Sequence, residues 1–391
     1  MMELDNKALL PAGLRDILPP EAGYEAGIRE RLASTFASHG YERVKPPLVE
    51  FEGGLTSGAG AAVSADIFRL MDPVSQRMMG VRADMTTQVA RIATTRLAGA
   101  PRPLRLSYTG EVLRVKGTQL RPERQFAQVG AELIGSESAA ADIEIIAIAV
   151  DSLRQVGIPK LSVDLTIPPL VSALMDGMEL SAENYFSLRG ALDRKDVVAV
   201  RKGGQIHTDE LCQLMEATGE AKQALEVLSG LSLPSAPAGE LERLKSVVEG
   251  LGRRLPDLNI TVDPVENRGF EYYTGVGFTL FASGERGEIG AGGRYVTSPN
   301  SGKDDGEGEP ATGFTLFVDT ILRVVPETSL PPRIFVPQGA NEDSLAALRN
   351  EGWITICALE HFKDPAGEAY RQGCSHLWRD GKPETIDGDR G

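Results

Sequence analysis

Cysteine is scarce: Cys212, Cys357 and Cys374 are the only three in 391 residues, and their spacing makes neither a zinc ligand set nor a disulfide framework. A reducing, cytoplasmic compartment is therefore expected. Histidine numbers four (His39, His207, His361, His376), in no triad order or metal-ligand spacing, which sets aside zinc and serine-hydrolase chemistry. No metal and no cofactor are expected. Cations are outnumbered, 41 Lys plus Arg against 55 Asp plus Glu, for a formal charge of −14. Phosphates must be met by cations, so general affinity for nucleic acid is disfavoured, although local basic patches stay open. There is no run of about 18 apolar residues, so no membrane span is expected. The opening MMELDNKALLPAG has early acids and no long apolar run, which argues against a signal peptide.

What is present suggests two or three domains. PPEAGYEAGIRERLASTFASHG predicts an amphipathic helix, with Tyr24, Ile28, Leu32 and Phe36 recurring every four residues and Gly40 at its end. YERVKPPLVEF reads as a strand broken by Pro46 and Pro47, which places it at an edge, a bulge or an interface. DIFRLMD and QRMMGVR predict a hairpin around PVS, and ADMTTQVARIATTRLAG a helix with Asp84 near its start. Two long strands, PLRLSYTGEVL and QFAQVGAELIG, flank the basic loop RVKGTQLRPER (114–124), whose four cations are accompanied by one acid, Glu123. ADIEIIAIAVDSLRQVG predicts a helix and KLSVDLTI a strand. From about 168 to 255 helical periodicity takes over, as in a helical insertion. Strands resume in NITVD, FEYYTGVGFTLF and EIGAGGRY; SPNSGKDDGEGEP predicts a mobile loop; GFTLFVDTILRV runs from strand into helix. The linker PETSLPP precedes a short α/β unit over 333–391. The fold class is α+β: one domain over 1–325, an antiparallel sheet flanked by helices with the insertion at about 168–255, then the short C-terminal domain.

Three stretches carry chemistry. VRADMTTQ puts Asp84 and Thr86 at a helix start, where a capping role accounts for them as well as a binding role does. Gln128 and Glu132 lie four apart on a strand, hence on one face, with Gly130 leaving that face open between them. A carboxylate buried there needs a cationic or donor partner, whereas on a solvated face it needs none. ENRGFEYYTGVGF places Arg268 before a strand whose adjacent Tyr272 and Tyr273 point to opposite faces; core tyrosines with a surface arginine are the alternative. GAGGRY is no dinucleotide fingerprint, because it does not open a helix after a strand; it lets another group approach the backbone. Acids, amides, hydroxyls and guanidinium groups together suit a zwitterionic amino acid.

In their order along the chain these stretches resemble the class II histidyl-tRNA synthetases over about residues 8 to 325. The first helix with YERVKPPLVEF resembles the family's dimer-forming first motif, YTGEVLRVK…RQFAQVGAELIG the second, RGFEYYTG the histidine-specific R-G-L-D-Y-Y, and GAGGRY…GFTLFVDTIL the third. The resemblance implies a class II synthetase-like fold with a histidine pocket. Asp84 and Thr86 would meet the ammonium with Gln128 beside them, and Glu132 and one of Tyr272 or Tyr273 the imidazole nitrogens. Arg268, with Arg114 second, would meet the carboxylate.

Two departures bear on activity. The second motif's F-R-x-E reads Leu113-Arg114-Val115-Lys116, so lysine stands where the synthetases use a glutamate against adenine. The third motif's G-L-E-R reads Phe317-Val318-Asp319-Thr320, so Thr320 replaces the arginine that grips the terminal phosphates. The tail is shorter than the synthetases' anticodon-binding domain and carries no clear basic patch. An amino-acid pocket kept and nucleotide grips lost resembles the paralogous ATP phosphoribosyltransferase regulatory subunits. That resemblance implies a non-catalytic subunit in the first step of histidine biosynthesis. It would form a homodimer, join a short catalytic chain in a hetero-octamer, respond to L-histidine as feedback effector, and use no tRNA. A divergent, active histidyl-tRNA synthetase and a small-molecule ligase on the same fold are the alternatives.

Overall fold

The computed structural model describes residues 9–203, 206–266, 272–297, 308–326 and 331–386; Arg268 and most of the SPNSGKDDGEGEP segment lie outside them. Two compact units divide the chain, Met1–Val325 and Pro326–Gly391.

Strands of the first unit are β1 (Glu42–Arg43), β2 (Val49–Phe51), β3 (Phe68–Met71), β4 (Met78–Val81), β5 (Leu104–Leu113), β6 (Gln125–Ile134), β7 (Leu161–Thr166), β8 (Gly219–Glu220), β9 (Asn259–Val262), β10 (Gly277–Ala282), β11 (Gly290–Val296) and β12 (Pro310–Phe317). Nine form one sheet in the order β1-β5-β6-β12-β11-β10-β7-β9-β8, and β2-β4-β3 form a small second sheet. The large sheet is antiparallel apart from the pairs β1–β5 and β7–β9. The expected strand YERVKPPLVEF is cut in two: β1 pairs at the edge of the large sheet and β2 joins the small one. Pro46 and Pro47 lie in the break, and their carbonyls accept from Arg82 Nη1 at 3.1 Å and Gln88 Nε2 at 2.8 Å. This is how a segment without two backbone donors is held.

Alternation along β6 decides where the core ends and the site begins. Ala127, Val129, Ala131 and Leu133 pack with Ile28, Leu32 and Phe36 of the helix Glu21–Ser38 and with Ile145 and Ile148 of the helix Ala139–Gln155. The even-numbered residues point to the other face, where Phe126 and Ile134 flank Gln128, Gly130 and Glu132. Both faces are buried, so a solvated face for Glu132 is ruled out.

Between Pro168 and Arg254 six helices and the two-residue strand β8 form the helical insertion. The second unit is a four-stranded sheet, β13 (Arg333–Val336), β14 (Ile354–Cys357), β15 (His376–Arg379) and β16 (Lys382–Thr385), in the order β14-β13-β15-β16. Its β13 pairs parallel with β14 and β15, and the helices Glu342–Asn350 and Pro365–Arg371 connect the strands. Among the described residues no helix is long and apolar enough to cross a membrane, and no cluster of three or more His, Cys, Asp or Glu could hold a metal.

Candidate functional site

One row of residues across the large sheet makes the cavity. Glu132 on β6 lies opposite Gly313 on β12, Gly313 opposite Gly293 on β11, and Gly293 opposite Gly277 on β10. Three successive positions without a side chain leave a trough beside the carboxyl. A Cβ on Gly313 would overlap Oε2 of Glu132, and one on Gly293 would lie 2.9 Å from the Tyr273 ring. The glycines of GAGGRY thus admit neighbouring groups to the backbone, as their spacing in the sequence suggests. The resulting cavity holds about 230 Å³ and is lined by Asp84, Thr86, Arg114, Glu132, Tyr272, Tyr273 and Tyr295, with Gly293 and Gly313 of the glycine row beneath. That is smaller than the roughly 300–1,000 Å³ of pockets for drug-sized ligands, and it suits a single amino acid.

Glu132 is 1% exposed and accepts from Tyr295 Oη at 2.9 Å and from Tyr108 Oη at 3.3 Å. Burial pushes its carboxyl up to about 8; nearby Asp84 adds to the rise, while the tyrosine hydrogen bonds oppose it. Burial also holds the Tyr108, Tyr273 and Tyr295 hydroxyls protonated, with pKa values well above the usual range. Tyr108 Oη shares a 2.6 Å hydrogen bond with Thr315 Oγ1 and lies 3.4 Å from Thr86 Oγ1. Its ring reaches over Gly130, whose open side is therefore filled by Tyr108 rather than offered to a ligand.

Asp84 precedes a helix, whose N-cap position is Met85, and faces the cavity. Its Oδ1 accepts from the Thr86 N–H at 2.8 Å, at the start of the helix Thr86–Thr95, and its Oδ2 accepts from Gln128 Nε2 at 2.9 Å. Gln128 is fully buried, its Oε1 takes the Met85 N–H at 3.2 Å, and it does not line the cavity. The glutamine expected beside the ligand stands instead behind Asp84 and fixes that carboxylate. Arg114 lines the cavity, directing Nε to the Ala83 carbonyl at 3.4 Å with its guanidinium 5.2 Å from the Phe126 ring centre.

Tyr272 and Tyr273 do not point to opposite faces. The strand begins only at Gly277, so the tyrosines are free of a pleat; their ring centres lie 4.3 Å apart, tilted by 55°. Tyr272 also meets Tyr295 edge-on at 6.5 Å. Tyr108, Tyr295 and Thr315 belong to the site and escaped the sequence reading. Tyr295 had a signal: it follows Ala291 and Gly293 at strand spacing on the same face. Tyr108 and Thr315 become visible only with the strand register in hand.

The family model described as histidyl-tRNA synthetase matches residues 13–321. The ATP phosphoribosyltransferase regulatory subunits of Rhodospirillum centenum and Paramagnetospirillum magneticum are each 53% identical to this chain, covering 97% and 96% of it and 97% of their own lengths. The chain belongs to the family of ATP phosphoribosyltransferase regulatory subunits. Among solved structures, an ATP phosphoribosyltransferase regulatory subunit/histidyl-tRNA synthetase from Bacillus halodurans matches with a TM-score of 0.76 at 23% identity, over 93% of this chain and 96% of that one. The histidyl-tRNA synthetase from Nostoc sp. PCC 7120 matches with a TM-score of 0.75 at 21% identity, over 94% and 90%. At such identities the likeness establishes the class II synthetase-like α+β fold.

In this member of the regulatory-subunit family the basic loop's buried cation, Arg121, is balanced from outside the loop, by Asp319 at the start of the helix Val318–Val324. Arg121 is 8% exposed, donates Nε to Asp319 Oδ2 at 3.1 Å and Nη2 to Thr320 Oγ1 at 3.3 Å, and stacks 3.9 Å over the Phe317 ring. Glu123, the single acid in the loop, pairs with Arg323 instead, at 3.1 Å. Arg124 spends its donors on the Arg114 and Ala12 carbonyls at 3.2 and 3.1 Å, and Lys116 is exposed. The residues that depart from the synthetase's third motif are thus the ones that hold Arg121 in place.

Proposed function

We propose that this chain is the non-catalytic, histidine-responsive subunit that acts in the cytoplasm with a short ATP phosphoribosyltransferase catalytic chain. Together they carry out the first step of histidine biosynthesis; L-histidine bound in the cavity reports feedback, and the chain aminoacylates no tRNA. The observation that carries this reading is Glu132, a buried carboxyl at the floor of an amino-acid-sized cavity with Asp84 and Thr86 at its edge. Two acidic groups within one small cavity ask for a ligand with donors at both ends. Histidine has them: an ammonium for Asp84 and Thr86, and a ring N–H for Glu132, with Tyr272 or Tyr273 at the other ring nitrogen. Arg268 is assigned to the carboxylate by resemblance, with Arg114 second. The nucleotide side supports the same reading, since Arg121 is neutralised by Asp319 and Thr320 contributes a hydroxyl where the synthetases present a cation.

Co-expression with a short catalytic chain tests it. Phosphoribosyl transfer is expected to require the assembled complex and to fall as L-histidine is added. Indifference of the catalytic chain to both, or histidine-dependent ATP–pyrophosphate exchange by this chain alone, would overturn the proposal.

A further inference from the structure

Arg294 is 4% exposed and does not line the cavity. Its guanidinium meets the Asp142 carboxylate (Nε to Oδ1 at 3.0 Å, Nη2 to Oδ1 at 2.9 Å), the Ser136 carbonyl at 2.8 Å and the Ser138 carbonyl at 3.0 Å. Asp142 is 2% exposed and sits in the first turn of the helix Ala139–Gln155. Its charge offsets the positive end of that helix as well as the arginine. On the main chain, Arg294 accepts from the Thr274 N–H at 2.8 Å and donates to the Val276 carbonyl at 2.9 Å. The arginine stem fills the space that a side chain at Gly275 would need. The Arg294 side chain therefore ties the loop after β6 and Asp142 to β11, and its stem packs on the segment 272–276 at Gly275, beside both cavity tyrosines. The main-chain bonds alone would be made by any residue with a backbone N–H. Its neighbours Gly293 and Tyr295 meet Tyr273 and Glu132.

We infer that Arg294, with Asp142 as its counter-ion, is a positioning residue that holds Tyr272, Tyr273 and Tyr295 over the amino-acid cavity and so sets the affinity for the effector without touching it. The inference rests on the histidine reading above, but its local part can be measured without histidine. An arginine is suited to the task because its fixed fork serves a carboxylate and two carbonyls together, which a lysine cannot.

The test uses the full chain in three forms: wild type, Arg294→Lys, and the pair Arg294→Met with Asp142→Leu, which removes both charges of the buried pair and leaves Arg243, the more distant partner of Asp142 at 3.8 Å, partly exposed. Amide exchange over 272–276 and 290–296 is expected to quicken at least tenfold in the pair, with the C-terminal half of the helix Ala139–Gln155, remote from Asp142, unchanged. The Kd for L-histidine is expected to rise at least tenfold in the pair and by a smaller factor in Arg294→Lys. Should the pair not fold, Arg294→Lys carries both measurements, with exchange confined to the same two segments. Wild-type exchange and wild-type Kd would overturn the inference, as would acceleration spread evenly over the unit, which marks a general stability element. If the wild-type chain binds no histidine, the histidine reading falls, and the exchange measurement alone decides whether Arg294 is the clamp.

Discussion

Glu132 couples binding to pH and to stability through one carboxyl. Its folded pKa of about 8 lies above the ordinary carboxyl value of 4.5. Between those values the folded chain holds a proton that the unfolded chain has lost, so stability falls as pH rises from about 4.5 to about 8. Glu132→Gln removes that titration. Its urea midpoint relative to wild type is expected to improve steadily from pH 5 to pH 8; a constant difference across that range would show that the carboxyl is not held protonated. Ligand binding should run the other way. Glu132→Ala removes a partner for a charged or polar ligand group, a loss of about 1.5–3 kcal/mol, or roughly ten- to a hundredfold in histidine affinity. Arg268→Ala is expected to behave alike if that residue takes the carboxylate. Inhibition by histidine at wild-type concentrations in both variants, folded and assembled, would place the sensor elsewhere.

At the scale of elements, the pair between the loop 114–124 and the start of the helix Val318–Val324 does for this chain what a bound anion would otherwise do. Asp319→Asn leaves Arg121 buried among Phe126, Phe317 and Thr320 with only the more distant Glu288, at 3.6 Å, to balance it. The expected cost is about 3 kcal/mol, read as a lowered urea midpoint, and Arg121→Met together with Asp319→Leu should recover most of it. A single variant as stable as wild type would mean the guanidinium reaches water. How such elements were legible differs from case to case. The helix Glu21–Ser38 could be read from the four-residue recurrence of Tyr24, Ile28, Leu32 and Phe36, because its burial is one-sided. Asp84, Glu132 and the paired tyrosines could be read from residue type and resemblance to a known motif. Three features could not. Arg121 and Asp319 are 198 residues apart, and nothing local marks them as partners. The glycine row beside Glu132 exists only in the register of four strands. The backbone of Tyr272 and Tyr273 departs from a strand although aromatic residues favour one.

For the whole molecule, the expectations concern assembly. Leu48, Phe51, Leu70, Met71, Val74 and Met78, on and beside the small sheet β2-β4-β3, are all exposed. This supports a homodimer formed through the region of the first motif. Light scattering at micromolar concentration should give twice the chain mass, and a charge at Phe51 or Met71 should reduce it. Regulation then needs more than assembly. A ligand with equal affinity for two states of a complex shifts neither, so histidine can inhibit only if it binds the inactive arrangement of the catalytic chain's partner better than the active one. The coupling is reciprocal: whatever factor histidine imposes on the affinity of a catalytic-site ligand, that ligand must impose on histidine. The measurement is two titrations of the assembled complex, histidine with and without saturating catalytic-site ligand, and the ligand with and without saturating histidine. Equal factors, typically about 5- to 150-fold for a coupling of 1–3 kcal/mol, are expected. With Glu132→Ala the intrinsic histidine affinity should fall, and if Glu132 contributes equally in both states the coupling factor should stay as it was. A factor of one in the wild-type complex would mean that histidine, even when bound in this cavity, is not the signal.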